Sequence, residues 1–325
     1  MHRSAPGNRH STLRRLLAAG VRAVGRPACG AATGPLVAFF LALAPAAGEA
    51  QAVCSAPHSS PMVSASGSVL MLDPGAGWVQ VAARGVRSTR FYGTGGSVHD
   101  LPGLTSATTV SAYLTGSVGL VPGLEIWGQL PVHRLDVRDE AVDRSRVGLG
   151  DPRVSVRVGP ELLGFDPLPV SLRGGIKVAG SDFPVDSRVL PLSEGQTDYE
   201  VAVESGIRFG EGLYAVGWLG YRWRTEDASS RREPGDERFG HLAFGGDLGS
   251  LRLELGLDAL DGLAPRQDGL ALPASARRLV QISPTVGWAA GAGRFQASAQ
   301  IPVSGRSLPT GPAVGVGYLL AWSGR

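Results

Sequence analysis

From Leu251 to Ala259 the chain alternates without a break. Leu251, Leu253, Leu255, Leu257 and Ala259 fall on one set of positions, Arg252, Glu254, Gly256 and Asp258 on the other. A strand has a period of two, so the two sets occupy opposite faces of a sheet. One face suits lipid and the other a wet interior. The pattern recurs in stretches of about ten residues, joined alternately by tight turns and long polar loops, as in an outer-membrane barrel. The expected fold is all-β: a transmembrane, antiparallel, up-and-down β-barrel of about twelve strands.

The stretches run roughly over 76–85, 106–118, 124–135, 147–158, 169–179, 197–209, 212–224, 238–248, 250–260, 278–290, 293–303 and 312–322. Val121-Pro122-Gly123, Gly210-Glu211-Gly212, Gly249-Ser250 and Gly291-Ala292-Gly293 are tight glycine turns, and 161–168 is the longest connection on that rim. The other rim carries 86–105, 136–146, 181–196, 225–237, 261–277 and 304–311, richer in charge, Ser and Pro. An even strand count returns both termini to the periplasmic side. Pro284 within 278–290 removes a ladder donor and predicts a bulge or a shifted boundary, whereas Pro131, Pro152 and Pro302 fall nearer strand ends.

Residues 1–52 read as a cleaved signal peptide. Arg3, Arg9, Arg14, Arg15, Arg22 and Arg26 form a basic region, Leu36–Ala44 an apolar core, and Ala50-Gln51-Ala52 a small-residue cleavage site. The net charge of +3 belongs to this leader: without it 25 Lys+Arg face 27 Asp+Glu. Nucleic-acid binding thereby loses its global support. Residues 53–74 read as a flexible tail or periplasmic plug, and 75–325 as the barrel. Cys29 leaves with the leader and Cys54 stands alone, so no disulfide and no thiolate metal site is expected.

The alternation also assigns the interior. Strand 169–179 turns Arg173 and Lys177 inward, beside Arg153 and Arg157; 197–209 turns in Glu200 and Glu204; 212–224 turns in Arg222; 250–260 turns in Arg252, Glu254 and Asp258. These residues are the candidate pore lining. They read either as a paired, salt-bridged filling or as a constriction whose basic strip guides anions or polarised ligands. Tyr221 and Trp223 mark one aromatic girdle, Trp288, Phe295 and Trp322 the other. The last strand, Val314, Val316, Tyr318, Leu320 and Trp322, resembles the terminal signal read by the outer-membrane assembly machinery, displaced inward by Ser323-Gly324-Arg325.

Gly148-Leu149-Gly150-Asp151 opens one strand, with Gly148 and Gly150 permitting curvature or a bulge and Asp151 able to bind freed loop amides. It follows Gly119-Leu120-Val121-Pro122-Gly123-Leu124-Glu125-Ile126 and Leu130-Pro131-Val132. Together with Gly195–Tyr199 and Gly220–Arg222, these segments resemble the outer-membrane family named for the MetA pathway of phenol degradation. That family often has an acidic or polar and a basic residue in the first hairpin turn, where this chain has Val121-Pro122. The resemblance spans about residues 105–322. It implies a barrel and a transport role for small, often aromatic compounds, and carries no catalytic residues.

For enzymes, His133 is inward by parity with Asp136 and Asp139 nearby in sequence, His241 sits near a strand start, and no serine is marked out. No cofactor or metal is expected. The expected partners are outer-membrane lipid, small-molecule solutes and the assembly machinery. The expected function is passive uptake or efflux of small molecules, the apolar or aromatic class resting on the resemblance alone. A filled structural or adhesion barrel and an outer-membrane lipid hydrolase are the alternatives.

Overall fold

A computed structural model describes residues 71–101, 104–139, 143–181, 189–210 and 212–324, with the backbone alone at 104 and 105. The expected leader and most of the expected N-terminal tail lie outside the described residues. Among the described residues no helix is long and apolar enough to cross a membrane; strands form the wall.

The wall strands are β1 (Gly77–Ser88), β2 (Leu104–Val121), β3 (Leu124–Asp139), β4 (Asp143–Leu149 continuing as Arg153–Val158) and β5 (Val170–Lys177). They continue as β6 (Asp198–Phe209), β7 (Leu213–Arg224), β8 (Glu237–Leu248), β9 (Leu251–Gly262), β10 (Arg278–Ala290), β11 (Gly293–Arg306) and β12 (Ala313–Trp322). Each pairs antiparallel with its neighbour, and β1 closes on β12 from Gly77↔Trp322 to Val86↔Ala313. Closure leaves no free sheet edge, so the ladder satisfies backbone groups that hydrocarbon cannot.

Two proline expectations are revised. Pro131 and Pro302 lie inside β3 and β11, because both strands run longer than the alternation suggested. Each marks a fault in the neighbouring ladder, as a residue without an N–H must. Gly150-Asp151-Pro152 bulges from β4 opposite Leu130 and Pro131, and the Gly150 N–H is taken by the Pro131 carbonyl (3.0 Å). The β10–β11 register shifts between Val280 and Gln281, where Gln281 faces Pro302, while Pro284 stays in β10 opposite Leu255.

The long-loop rim is more structured than expected. Arg90–Tyr92, Val98–Asp100 and Leu308–Thr310 form a small sheet across the expected 86–105 and 304–311 loops. The expected 136–146 loop shrinks to 140–142, outside the described residues, because β3 and β4 extend beyond the apolar band. Arg134 bonds Asp136 there (2.8 Å) and Arg138 bonds Asp143 (3.1 Å) on the outward face. In β3 the charges there face outward and the apolar Leu135 and Val137 inward, which inverts the alternation of the lipid-facing band.

Outward, Leu253, Leu255 and Leu257 are exposed beside Phe244 and Leu242 of β8. Trp288 stacks on Phe295 (5.5 Å), and Phe295 meets Tyr318 at a tilt (4.6 Å), at the short-turn rim. Tyr221 meets Trp223 (5.0 Å) at the long-loop rim. The two rims thus carry the two girdles.

Candidate functional site: the barrel lumen

Every candidate lining residue projects into the barrel, but they form separate groups. Near the short-turn rim, Arg157 reaches Glu125 (3.2 Å) and Glu204 (2.9 Å), and Arg173 takes the other Glu204 oxygen (2.9 Å). Higher up, Arg222 joins Glu200 (2.9 Å) to Glu237 (2.8 Å), with Arg153 at 3.7 Å from Glu200. The proposed basic strip is therefore matched, side chain by side chain, to carboxylates. Arg252, Glu254 and Asp258 stand apart on β9: Arg252 bonds Asp247 through two nitrogens (2.8 and 2.7 Å), and Glu254 accepts from the Tyr214 hydroxyl (2.8 Å).

Toward the long-loop rim the wall gains a strap. After β5 the chain turns inward, and Leu190 and Leu192 pack with Leu101, Ala107, Leu135 and Val137 inside β2 and β3. Glu194 on the same strap bonds Lys177 (3.0 Å), Arg224 and Arg277 (3.5 Å). Burial disfavours the Glu194 charge, yet Arg224, Lys177 and Arg277 hold its carboxyl well below the usual 4.5. The strap is thus clamped by an apolar contact on one side and three cations on the other.

Lys177 is the one lysine in the sequence. Its ammonium donates to Asp151 (3.1 Å) and Glu194 (3.0 Å) and forms an ion pair with Asp198 (3.0 Å), with the side chain 2% exposed. Three rotatable donors suit three converging carboxylates in a way a planar guanidinium does not. Asp151 also accepts from the Gly180 (3.0 Å) and Glu194 (3.1 Å) amides, tying the β4 bulge to the strap. The neighbouring glycines are spatial requirements. A Cβ on Gly150 would lie 2.2 Å from the His133 ring, and one on Gly148 would lie 2.7 Å from Leu192.

The histidines settle differently from their sequence neighbourhoods. His133 is inward and buried, with Nδ1 2.8 Å from Ser111 Oγ, whereas Asp136 points outward to Arg134. His241 lies within β8, stacked on Trp218 (4.1 Å), with Nδ1 2.7 Å from Asp258. Ser283 bonds the same Asp258 carboxylate. The carboxylate therefore stands between serine and imidazole, not the order in which a base activates a nucleophile.

At the short-turn mouth, residues just before β1 turn up into the lumen. The Leu72 N–H donates to Glu125, and the Gly75 carbonyl accepts from Trp322 Nε1 (2.9 Å). Strand parity alone finds Glu125, Asp198, Arg224 and Glu237. Glu194 and Arg277 lie in loops, where parity gives no signal.

With this geometry in view, the known structures can be compared. An outer membrane channel from Pseudomonas putida F1 superposes with a TM-score of 0.66 at 15% identity, over 79% of this chain and 98% of that one. This chain is an outer-membrane β-barrel. In barrels of this kind the short turns usually face the periplasm and the long loops the exterior. Two looser likenesses are the monoaromatic hydrocarbon channel CymD (TM-score 0.43, 7% identity, 78% of this chain and 90% of that) and the toluene transporter TodX of Pseudomonas putida (0.39, 8%, 85% and 95%). Neither is close enough to inform the lumen. No protein-family model matches the sequence, and no curated protein matches it.

Proposed function

We propose that this barrel is an outer-membrane channel for passive passage of small solutes, held constricted at rest by the strap at 189–197. One observation carries the reading: a loop segment is drawn inward from the strand wall and clamped through Glu194 to Lys177, Arg224 and Arg277. A clamp of a few ion pairs is releasable, whereas a strand of the wall is not. The similarity to a solved outer membrane channel agrees with this reading. Apolar or aromatic solutes are supported by the sequence resemblance to the phenol-degradation family, and the charged lumen gives them no independent support. Outer-membrane lipid, the solutes and the assembly machinery that reads the last strand complete the proposed partners.

The competing reading is a filled barrel. Lys177, Arg224 and Glu237 side chains are 2%, 1% and 0% exposed, which leaves no water-lined path beside them. Single-channel recording of the refolded mature protein separates the two. The channel reading expects small or infrequent currents from the native protein and larger, longer openings from Glu194→Gln. It also expects altered ion selectivity from Arg173→Ala plus Lys177→Ala. Silence from native and variant proteins that are shown to be folded would establish the filled barrel.

A further inference from the structure

The outward face of the wall is electrically lopsided. From β7 to β11 the periplasmic ends turn Leu213, Leu248, Leu251, Trp288 and Phe295 outward, with no charge among them. The opposite ends form one cross-strand row in register: Tyr221↔Arg238, Arg238↔Asp261, Asp261↔Arg278 and Arg278↔Arg306. Below it, Leu219, Gly240, Ala259 and Val280 continue the apolar band. The row therefore stands at the level where acyl chains give way to headgroups on the exterior side.

Three arginines and one aspartate give the row a surplus of positive charge. Arg238, Asp261 and Arg278 are exposed. Among the described residues none of the four charges enters an ion pair; Arg306 Nε donates to the Ala276 carbonyl (2.9 Å). That contrasts with the outward charges of β3 and β4, which pair with one another. A row of arginines kept from pairing within the chain, at headgroup depth, is complementary to an anion in the membrane. Guanidinium forks match phosphate oxygens in pairs, and basic clusters at this depth bind phosphorylated headgroups. Tyr221 and Trp223 stand beside the row and offer amphipathic ring faces at the boundary between headgroup and acyl chain.

We propose that this row is a binding site for the phosphates of the outer-leaflet glycolipid, the lipid A portion of lipopolysaccharide. Arg238 and Arg278 grip a phosphate from either side of Asp261, and Arg306 flanks them. The site faces lipid and is independent of whether the lumen conducts.

The test uses the mature protein in nanodiscs of phosphatidylethanolamine and phosphatidylglycerol, with diphosphoryl lipid A added and bound lipid counted by native mass spectrometry. The native barrel is expected to retain lipid A at least about tenfold more strongly than Arg238→Ser plus Arg278→Ser, given the worth of charge-assisted hydrogen bonds. Arg238→Lys plus Arg278→Lys, which keeps the charge and guards against a folding defect, is expected to fall between them. Arg231→Ser, remote from the row, is expected to match the native protein. Equal retention by native and double-serine proteins would overturn the site. So would displacement of lipid A by phosphatidylglycerol at equal charge, since that would reduce the row to a general attraction for anions.

Discussion

At the scale of single residues, the lumen depends on setting cations against carboxylates. Lys177 holds Asp151, Glu194 and Asp198 together, and nothing else described supplies one cation to all three. Removing one partner of a buried ionic group is costlier than never building it, so Lys177→Met is expected to destabilise the barrel by about 3–5 kcal/mol. Lys177→Arg is expected to recover only part, because its planar donors cannot address three converging carboxylates. Urea unfolding of the refolded barrel in bilayers would measure both. Adding Asp198→Asn to Lys177→Met should lessen the loss, since the uncompensated charge is its cause; additive losses would refute the tripod. Gly150→Ala, which drives a Cβ into His133, is expected to cost about 1–3 kcal/mol, as overpacking does.

At the scale of elements, strands within the apolar band were legible and those above it were not. The alternation of Leu251–Ala259 reads directly onto β9, because lipid on one side and charge on the other imprint a period of two. The same wall continues through Arg134–Asp139, where the alternation reverses: Arg134, Asp136 and Arg138 face outward and Leu135 and Val137 pack inward, so a run read from outward apolar residues stops short. The inward residues of β5, β6 and β9 were legible by parity, but their pairing was not, since it depends on register between strands. The strap was legible only as part of the long 181–196 loop, because its Leu190, Leu192 and Glu194 belong to no strand-length run and gain meaning only from what they touch. That element carries a pH prediction. A carboxyl depressed in the folded state contributes stability that is fully present above its unfolded value and disappears as pH falls through the folded one. Glu194 is held well below 4.5, so the strap should stay clamped from about pH 7 down to about pH 4 and release only under stronger acid. In single-channel recording the currents should grow in that acidic window alone. Glu194→Gln should remove this step; opening already at mild acidity would show that another group controls the strap.

At the scale of the whole molecule, the barrel is an inversion of a soluble domain, with its apolar residues outside and its ionic network within. The inversion holds only if the twelve strands keep one register, since a slip of one residue would turn Arg252 and Glu254 to lipid and Leu253 and Leu255 to the lumen. What lipid contributes to that choice varies with depth, and depth is measurable along one strand. Leu255 sits at the middle of the outward row of β9 and Leu251 at its periplasmic end. An arginine facing lipid costs about 2–4 kcal/mol at the midplane and about 0–1 near the interface. Refolding equilibria in bilayers should therefore show a large loss for Leu255→Arg, an intermediate one for Leu253→Arg and a small one for Leu251→Arg. A flat series would mean that the outward face meets protein or water instead of lipid. A series peaking at Leu251 would shift the band toward the periplasm and lift the Arg238–Arg278 row clear of the headgroups, so the same profile bears on the wall and on the glycolipid site together.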